Sequence, residues 1–210
     1  MNPPPPPVKP PSAEGGESAY ARYLSLPAPE DTFRGLFFTS VFDLVKKEAG
    51  EAGLKQCQLL LMDKRFQRSF MSFASYPAVD FLRVAHAASL VLAPLLGPPE
   101  KCARRLGMAT VQDFVHSMAG KTLLSLSGGA PQRLLGNIPS AYRASVNFGE
   151  RKVTPQGDKS VLISFKRDFL PVPHTEGVIL AVLEASKAKY PQVRSRALSP
   201  LDSEYEVSWE

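Results

Sequence analysis

The chain has 210 residues, with 25 Lys+Arg against 20 Asp+Glu, a formal net charge of +5 and 44% hydrophobic residues. That composition excludes a wholly disordered chain, and two Cys exclude a disulfide scaffold. The longest nearly unbroken apolar run, Ala87–Leu96, falls short of the roughly 20 residues that cross a bilayer, so no transmembrane helix is expected. No basic-then-apolar N-terminus stands at residue 1, so no secretory signal is expected either. A cytoplasmic location follows as an expectation.

Residues 1–16 (MNPPPPPVKPPSAEGG) hold seven Pro, five of them consecutive. Pro fixes φ and lacks an N–H, so this segment predicts a polyproline II tail outside the folded domain. The tail serves as a spacer or docks to an aromatic-lined groove of a partner. Residues 17–30, with Tyr20, Tyr23, Leu24 and Leu26 before Pro27 and Pro29, predict an irregular arm on the domain surface.

A single α+β domain is expected over 31–210. Asp31 and Thr32 offer N-caps to a helix carrying Phe33, Leu36, Phe37, Val41, Leu44 and Val45 at helical spacing, ending near Gly50. Leu54–Met62 predicts a second, shorter helix. Pro77 suits the first position of a third, apolar on several faces and so central. Gly97-Pro98-Pro99 ends it. A short helix over Glu100–Leu106, closed by Gly107, and another over Thr110–Leu124 follow. The second turns Val111, Phe114, Val115 and Met118 inward. Short helical pieces broken at Pro139 complete a helical part over 31–143.

The period then changes to two. Val146, Phe148 and Val153 lead through Pro155-Gln156-Gly157-Asp158 to Ser160–Lys166, a plausible hairpin. Thr175–Lys189 predicts a helix, and Gln192–Leu198 and Ser203–Trp209 two more strands. Tyr205, Val207 and Trp209 alternate onto one face. The reading is α+β: an N-terminal helical part packed on a four-stranded antiparallel sheet (strand–strand–helix–strand–strand) over 144–210.

Three strings carry a family resemblance: GLFFTSVFDLVKKEAGEAG at 35–53, YPAVDFLRVAHAASLVL at 76–92 and SFKRDFL at 164–170. In this order they resemble the heme-nitric-oxide-binding (H-NOX) sensor domain, whose fold is related to the four-vinyl-reductase domain and to transport-particle subunits. RDFLP, HTEGVILAVLE and SEYEVSW are most similar to a myxobacterial family of heme-free paralogues of unknown function. The resemblance implies a proximal His on the helix before the first strand. That place falls on Tyr142, and no His lies between His116 and His174. It also implies a Tyr-x-Ser-x-Arg string that anchors the propionates. Phe165, Arg167 and Phe169 occupy those positions. Neither heme signature is present, so no heme is expected, and Tyr142 is the one ligand route left.

No catalytic constellation stands out. There is no GxSxG or HExxH string, and Gly120-Lys121-Thr122 lacks the Gly that opens a phosphate loop. No enzyme and no metal site are expected. His174 reads as a loop or N-cap neighbour, and Cys102 as a small buried hydrophobe despite neighbouring Lys101, Arg104 and Arg105.

The resemblance implies a pocket between the helical part and the sheet, here lined by Phe81, Val84, His86, Leu90, Phe114, Met118, Tyr142 and Phe148. The leading expectation is a non-enzymatic sensor or adaptor. It holds a small apolar ligand and signals through protein contacts. An alternative is a dimerising scaffold module with no ligand. A third reading is nucleic-acid binding. Residues 143–196 carry 10 basic and 5 acidic groups, with Arg151, Lys152, Lys166, Arg167, Arg194 and Arg196 forming a basic surface. Aromatic residues are not interleaved with them, which counts against this reading. The acidic residues Asp202, Glu204, Glu206 and Glu210 offer internal partners.

Overall fold

A computed structural model of the protein describes residues 18–210, except Lys187 and the side chain of Ala119. The tail expected over 1–16 lies outside the described residues. The arm does more than lie on the surface: Tyr20 and Tyr23 are fully buried in the main core.

A small two-stranded sheet, β1 (Thr32–Arg34) and β2 (Ser75–Pro77), precedes the first two long helices. Phe33 therefore sits on a strand, not in a helix. The Asp31 carboxylate caps no helix; it accepts from the Ala28 N–H and from both terminal nitrogens of Arg167, at 2.9 and 2.8 Å. Helix α1 (Gly35–Leu60) breaks sharply at Gly50, where φ is 68°. Such a left-handed φ favours glycine, and the break separates the two helices expected there. Helix α2 (Ala78–Leu96) is long and apolar enough to cross a membrane by length and composition alone, unlike the short run seen in sequence. Over half of it is buried in the core, as befits the central helix of a folded domain.

Helix α3 (Pro99–His116) runs straight through Gly107 instead of stopping there. A Cβ on Gly107 would stand 1.9 Å from the His174 carbonyl oxygen, and one on Gly177 would stand 2.0 Å from that of Arg104. The glycine thus marks a close helix crossing and not a helix end. Helices α4 (Met118–Ser127), α5 (Pro131–Gly136) and α6 (Ile138–Ser145) follow. Ser117 is extended and its Oγ accepts from the Gly120 N–H at 3.1 Å, so α4 starts afresh. Pro139 opens the first turn of α6 and breaks nothing.

The sheet is antiparallel with strand order β3-β4-β6-β5, from β3 (Glu150–Gly157), β4 (Ser160–Lys166), β5 (Gln192–Ala197) and β6 (Ser203–Ser208). Helix α7 (Val172–Ala185) connects β4 to β5 and covers the inner face. There Ile163, Phe165, Tyr205 and Val207 meet Ile179 and Leu183. The fold is α+β, as the sequence pattern predicts. The interlock of α3 with α7 ties the sheet layer to the helical layer.

Candidate functional site

A cavity of about 90 Å³ lies between the two layers. Phe33 and Phe81 enter from β1 and α2, while Val111 and Phe114 come from α3. Leu123 and Leu124 close it from α4, Ile138 and Tyr142 from α6, and Val178 and Val182 from α7. Of the residues expected to line a pocket, Phe81, Phe114 and Tyr142 are brought together here. Val84, His86, Leu90, Met118 and Phe148 do not line it. Val84 packs in the main core, and His86 and Leu90 are half-buried elsewhere on α2. Phe148 is buried against Phe33 and Phe169. Met118 is 89% exposed. The helix expected over Thr110–Leu124 is interrupted at Ser117, so the inward face of α3 does not continue onto α4.

Among the polar residues at the cavity that sequence reasoning missed, His174 is the most deeply buried. It lies in the first turn of α7, fully buried, and borders the cavity. Its Nδ1 is 2.6 Å from the Tyr20 hydroxyl. The ring also meets Phe81 edge to face. Burial pushes its pKa down to about 3, so the imidazole is neutral around pH 7. Thr110 and Ser145 also border the cavity, but each hydroxyl donates to a carbonyl of its own helix at 2.7 Å.

Arg151 departs furthest from the expected basic surface. Its side chain is 2% exposed and its Nη2 lies 3.2 Å from Asp168, itself buried. The guanidinium packs over the rings of Tyr142, Phe148 and Phe165. Burial raises the Asp168 carboxyl pKa, and the Arg151 charge opposes that rise. Arg167 holds Asp31, and Arg196 holds Glu204 at 2.7 Å. Lys152, Lys166 and Arg194 are exposed. Strand register sets Arg194 beside Glu206, and Lys166 beside Glu150, so acidic groups break up the patch.

The heme that the fold family implies can be tested against these residues. The Tyr142 ring is held between contacts with Phe165, at 5.3 Å, and Arg151, at 4.5 Å. Burial pushes its phenol pKa well up, which keeps the proton on the oxygen that an iron would need. Phe165 and Phe169 are buried core residues, and Arg167 is taken by Asp31. The cavity is also far below the roughly 300–1,000 Å³ of pockets that take larger ligands. These residues do not fit a heme. Among the described residues, no group of three or more His, Cys, Asp or Glu could hold a metal ion. Cys57 and Cys102 are free and buried; burial pushes the Cys57 thiol up to about 12 and raises that of Cys102, so neither is an activated nucleophile.

The sequence profile of one family, described as "protein of unknown function (DUF2378)", matches residues 27–210. The chain belongs to that family. A comparison with curated proteins finds no match. Solved structures similar to this DUF2378 chain include H-NOX proteins. The Fe(II) unliganded H-NOX protein from K. algicida superposes with a TM-score of 0.67 at 12% identity, covering 84% of this chain and 96% of that one. The Fe(II)NO form from S. oneidensis gives 0.67 at 11% identity, covering 84% and 99%. The Fe(II)CO form of an H-NOX domain from Shewanella oneidensis gives 0.69 at 9% identity, covering 84% and 98%. At such identities the likeness establishes the fold: this DUF2378 protein is H-NOX-like in architecture.

Proposed function

We propose that this protein is a non-enzymatic sensor or adaptor module whose guest is a small molecule other than heme. The observation that carries the reading is the construction of α4. Leu123 and Leu124 border the cavity from this helix. Met118 and Leu126 stand on the same helix at 89% and 72% exposure. A change in cavity filling therefore acts on an element that already presents apolar side chains to solvent, where a partner protein can read it.

Amide hydrogen exchange tests the reading. Saturation of the full chain with benzene, or the cavity-filling variant Leu123→Phe, is expected to slow exchange across Met118–Ser127 relative to the untreated protein. Unchanged exchange in both would remove α4 as the output. A Soret band and stoichiometric heme after expression with heme precursor would remove the heme-free part.

A second reading, a dimerising scaffold, draws on Leu59, Leu60 and Met62, which are exposed at the end of α1 and just beyond it. Sedimentation velocity over a hundredfold concentration range separates the two. A concentration-independent monomer disposes of the scaffold.

A further inference from the structure

The chemistry of the lining restricts what can occupy the cavity. Among the described residues, no Asp, Glu, Lys or Arg borders it. The nearby Arg151–Asp168 pair is neutralised within itself, and its guanidinium packs on the Tyr142 ring without reaching the cavity. An ionised guest would lose its hydration and gain no counter-charge, a penalty of several kcal/mol in an apolar site. Thr110 and Ser145 give their hydroxyl protons to carbonyls of their own helices, and Asn137 and Tyr142 are the other polar side chains in the lining. His174 is different. Its Nδ1 edge is fixed by Tyr20, which locks the orientation of a neutral ring at the cavity wall. A neutral imidazole offers one donor and one acceptor nitrogen. With one nitrogen committed to Tyr20, the ring itself keeps one hydrogen-bonding position for the interior.

The size agrees with this chemistry. A space of about 90 Å³ is well above what one water needs. It is of the order of the engineered apolar cavity, about 150 Å³, that stays dry and takes benzene or xenon.

We infer that the guest is an uncharged, compact hydrophobic molecule carrying one hydroxyl or carbonyl, which meets His174. The inference rests on the proposed reading of the cavity as a guest site. It commits to the class of small neutral alcohols, phenols and ketones and excludes carboxylates, phosphates and amines.

Three probes of nearly one shape test it: benzene, phenol and benzoate. Each is titrated into full-length protein at pH 7.5 while methyl resonances of Val111, Leu123, Ile138 and Val178 are followed. Phenol is expected to bind about fivefold to tenfold tighter than benzene, as one hydrogen bond provides. Benzoate is expected to bind at least about 100-fold more weakly than phenol. In His174→Phe the preference of phenol over benzene is expected to vanish. Should that variant fail to fold, Tyr20→Phe, which releases the ring, is expected to reduce the same preference. Benzoate binding within tenfold of phenol overturns the inference and leaves the cavity reading intact. Equal affinity for benzene and phenol in the unmodified protein overturns the role of His174. No shift with any probe overturns the cavity reading itself.

Discussion

Tyr20 and His174 are 154 positions apart, yet the phenol oxygen and Nδ1 meet at 2.6 Å in full burial. The contact pins the N-terminal arm to the first turn of α7 and orients the imidazole at the cavity. Tyr20→Phe keeps the ring and deletes the hydroxyl. It leaves the buried Nδ1 without its partner, so a loss of about 1–3 kcal/mol is expected in urea unfolding.

His174 also sets a pH dependence. Its folded pKa, about 3, lies below the unfolded value of 6.5. The unfolded chain therefore binds a proton that the folded chain refuses. The contribution is complete above pH 6.5 and is lost as pH falls towards 3. Stability is expected to drop by about 1.4 kcal/mol for each pH unit in that window. His174→Gln should be less stable at pH 7.5 but lack this component of the slope. Parallel slopes between pH 7.5 and 5 would contradict the assignment. Asp168, whose pKa is raised by burial, acts in the opposite direction and belongs to both proteins.

The α3–α7 crossing leaves no room for a methyl group. Gly107→Ala and Gly177→Ala each drive a Cβ into a backbone carbonyl. A cost of about 3 kcal/mol or more is expected for each, because backbone yields less readily than a side chain. Gly136→Ala is the control, since nothing lies within 4 Å of the added carbon. It is expected to be neutral or to stabilise by up to about 1 kcal/mol. Thermal denaturation of the three variants distinguishes them.

Removing one member of the buried ion pair strands the other. Arg151→Met is expected to cost about 3–5 kcal/mol, and Asp168→Leu a similar amount. The double variant should recover most of the loss, and a double-mutant cycle from urea unfolding reads the coupling directly. Additive losses would mean that Arg151 acts through its aromatic contacts alone.

On the outer sheet face, Arg194 and Arg196 on β5 stand opposite Glu206 and Glu204 on β6. Phosphate-tracking surfaces present unopposed cations. No measurable affinity for duplex DNA is expected at 0.15 M salt, and Lys152→Glu with Arg194→Glu should change nothing in a fluorescence titration. Salt-sensitive micromolar binding would restore the nucleic-acid reading.

Much of the fold was legible because it is written in local periodicity. The spacing of Val41, Leu44 and Val45, the break at Gly50, and the alternation of Tyr205, Val207 and Trp209 each report a neighbour on the same element. The site was legible only in part. Phe81, Phe114 and Tyr142 face the cavity, but Met118 does not, because the extended Ser117 resets the helical phase. Arg151 was within reach of a parity argument. Val153 faces inward opposite Ile163, and Arg151, two residues earlier, must then lie opposite Phe165 on the same face. The Arg-Lys dipeptide suggested surface and hid that alternation. His174 had no local signal at all, since Tyr20 belongs to a segment whose placement only the tertiary fold decides.

The paired glycines of α3 and α7 lie outside the cavity lining but set the spacing of the two helices that carry Val111, Phe114, Val178 and Val182 into it. Where backbone rests on backbone, spacing is fixed by main-chain geometry and no exchange of side chains can adjust it. On α4 to α6 the lining includes aliphatic residues, Leu123, Leu124, Leu134 and Ile138, beside Tyr142. Sequences of this architecture can thus resize the interior by substitutions at positions such as Leu123 or Ile138 while the sheet keeps its place. The crossing is the fixed jaw of a vice, and the side chains of α4 to α6 are the movable one.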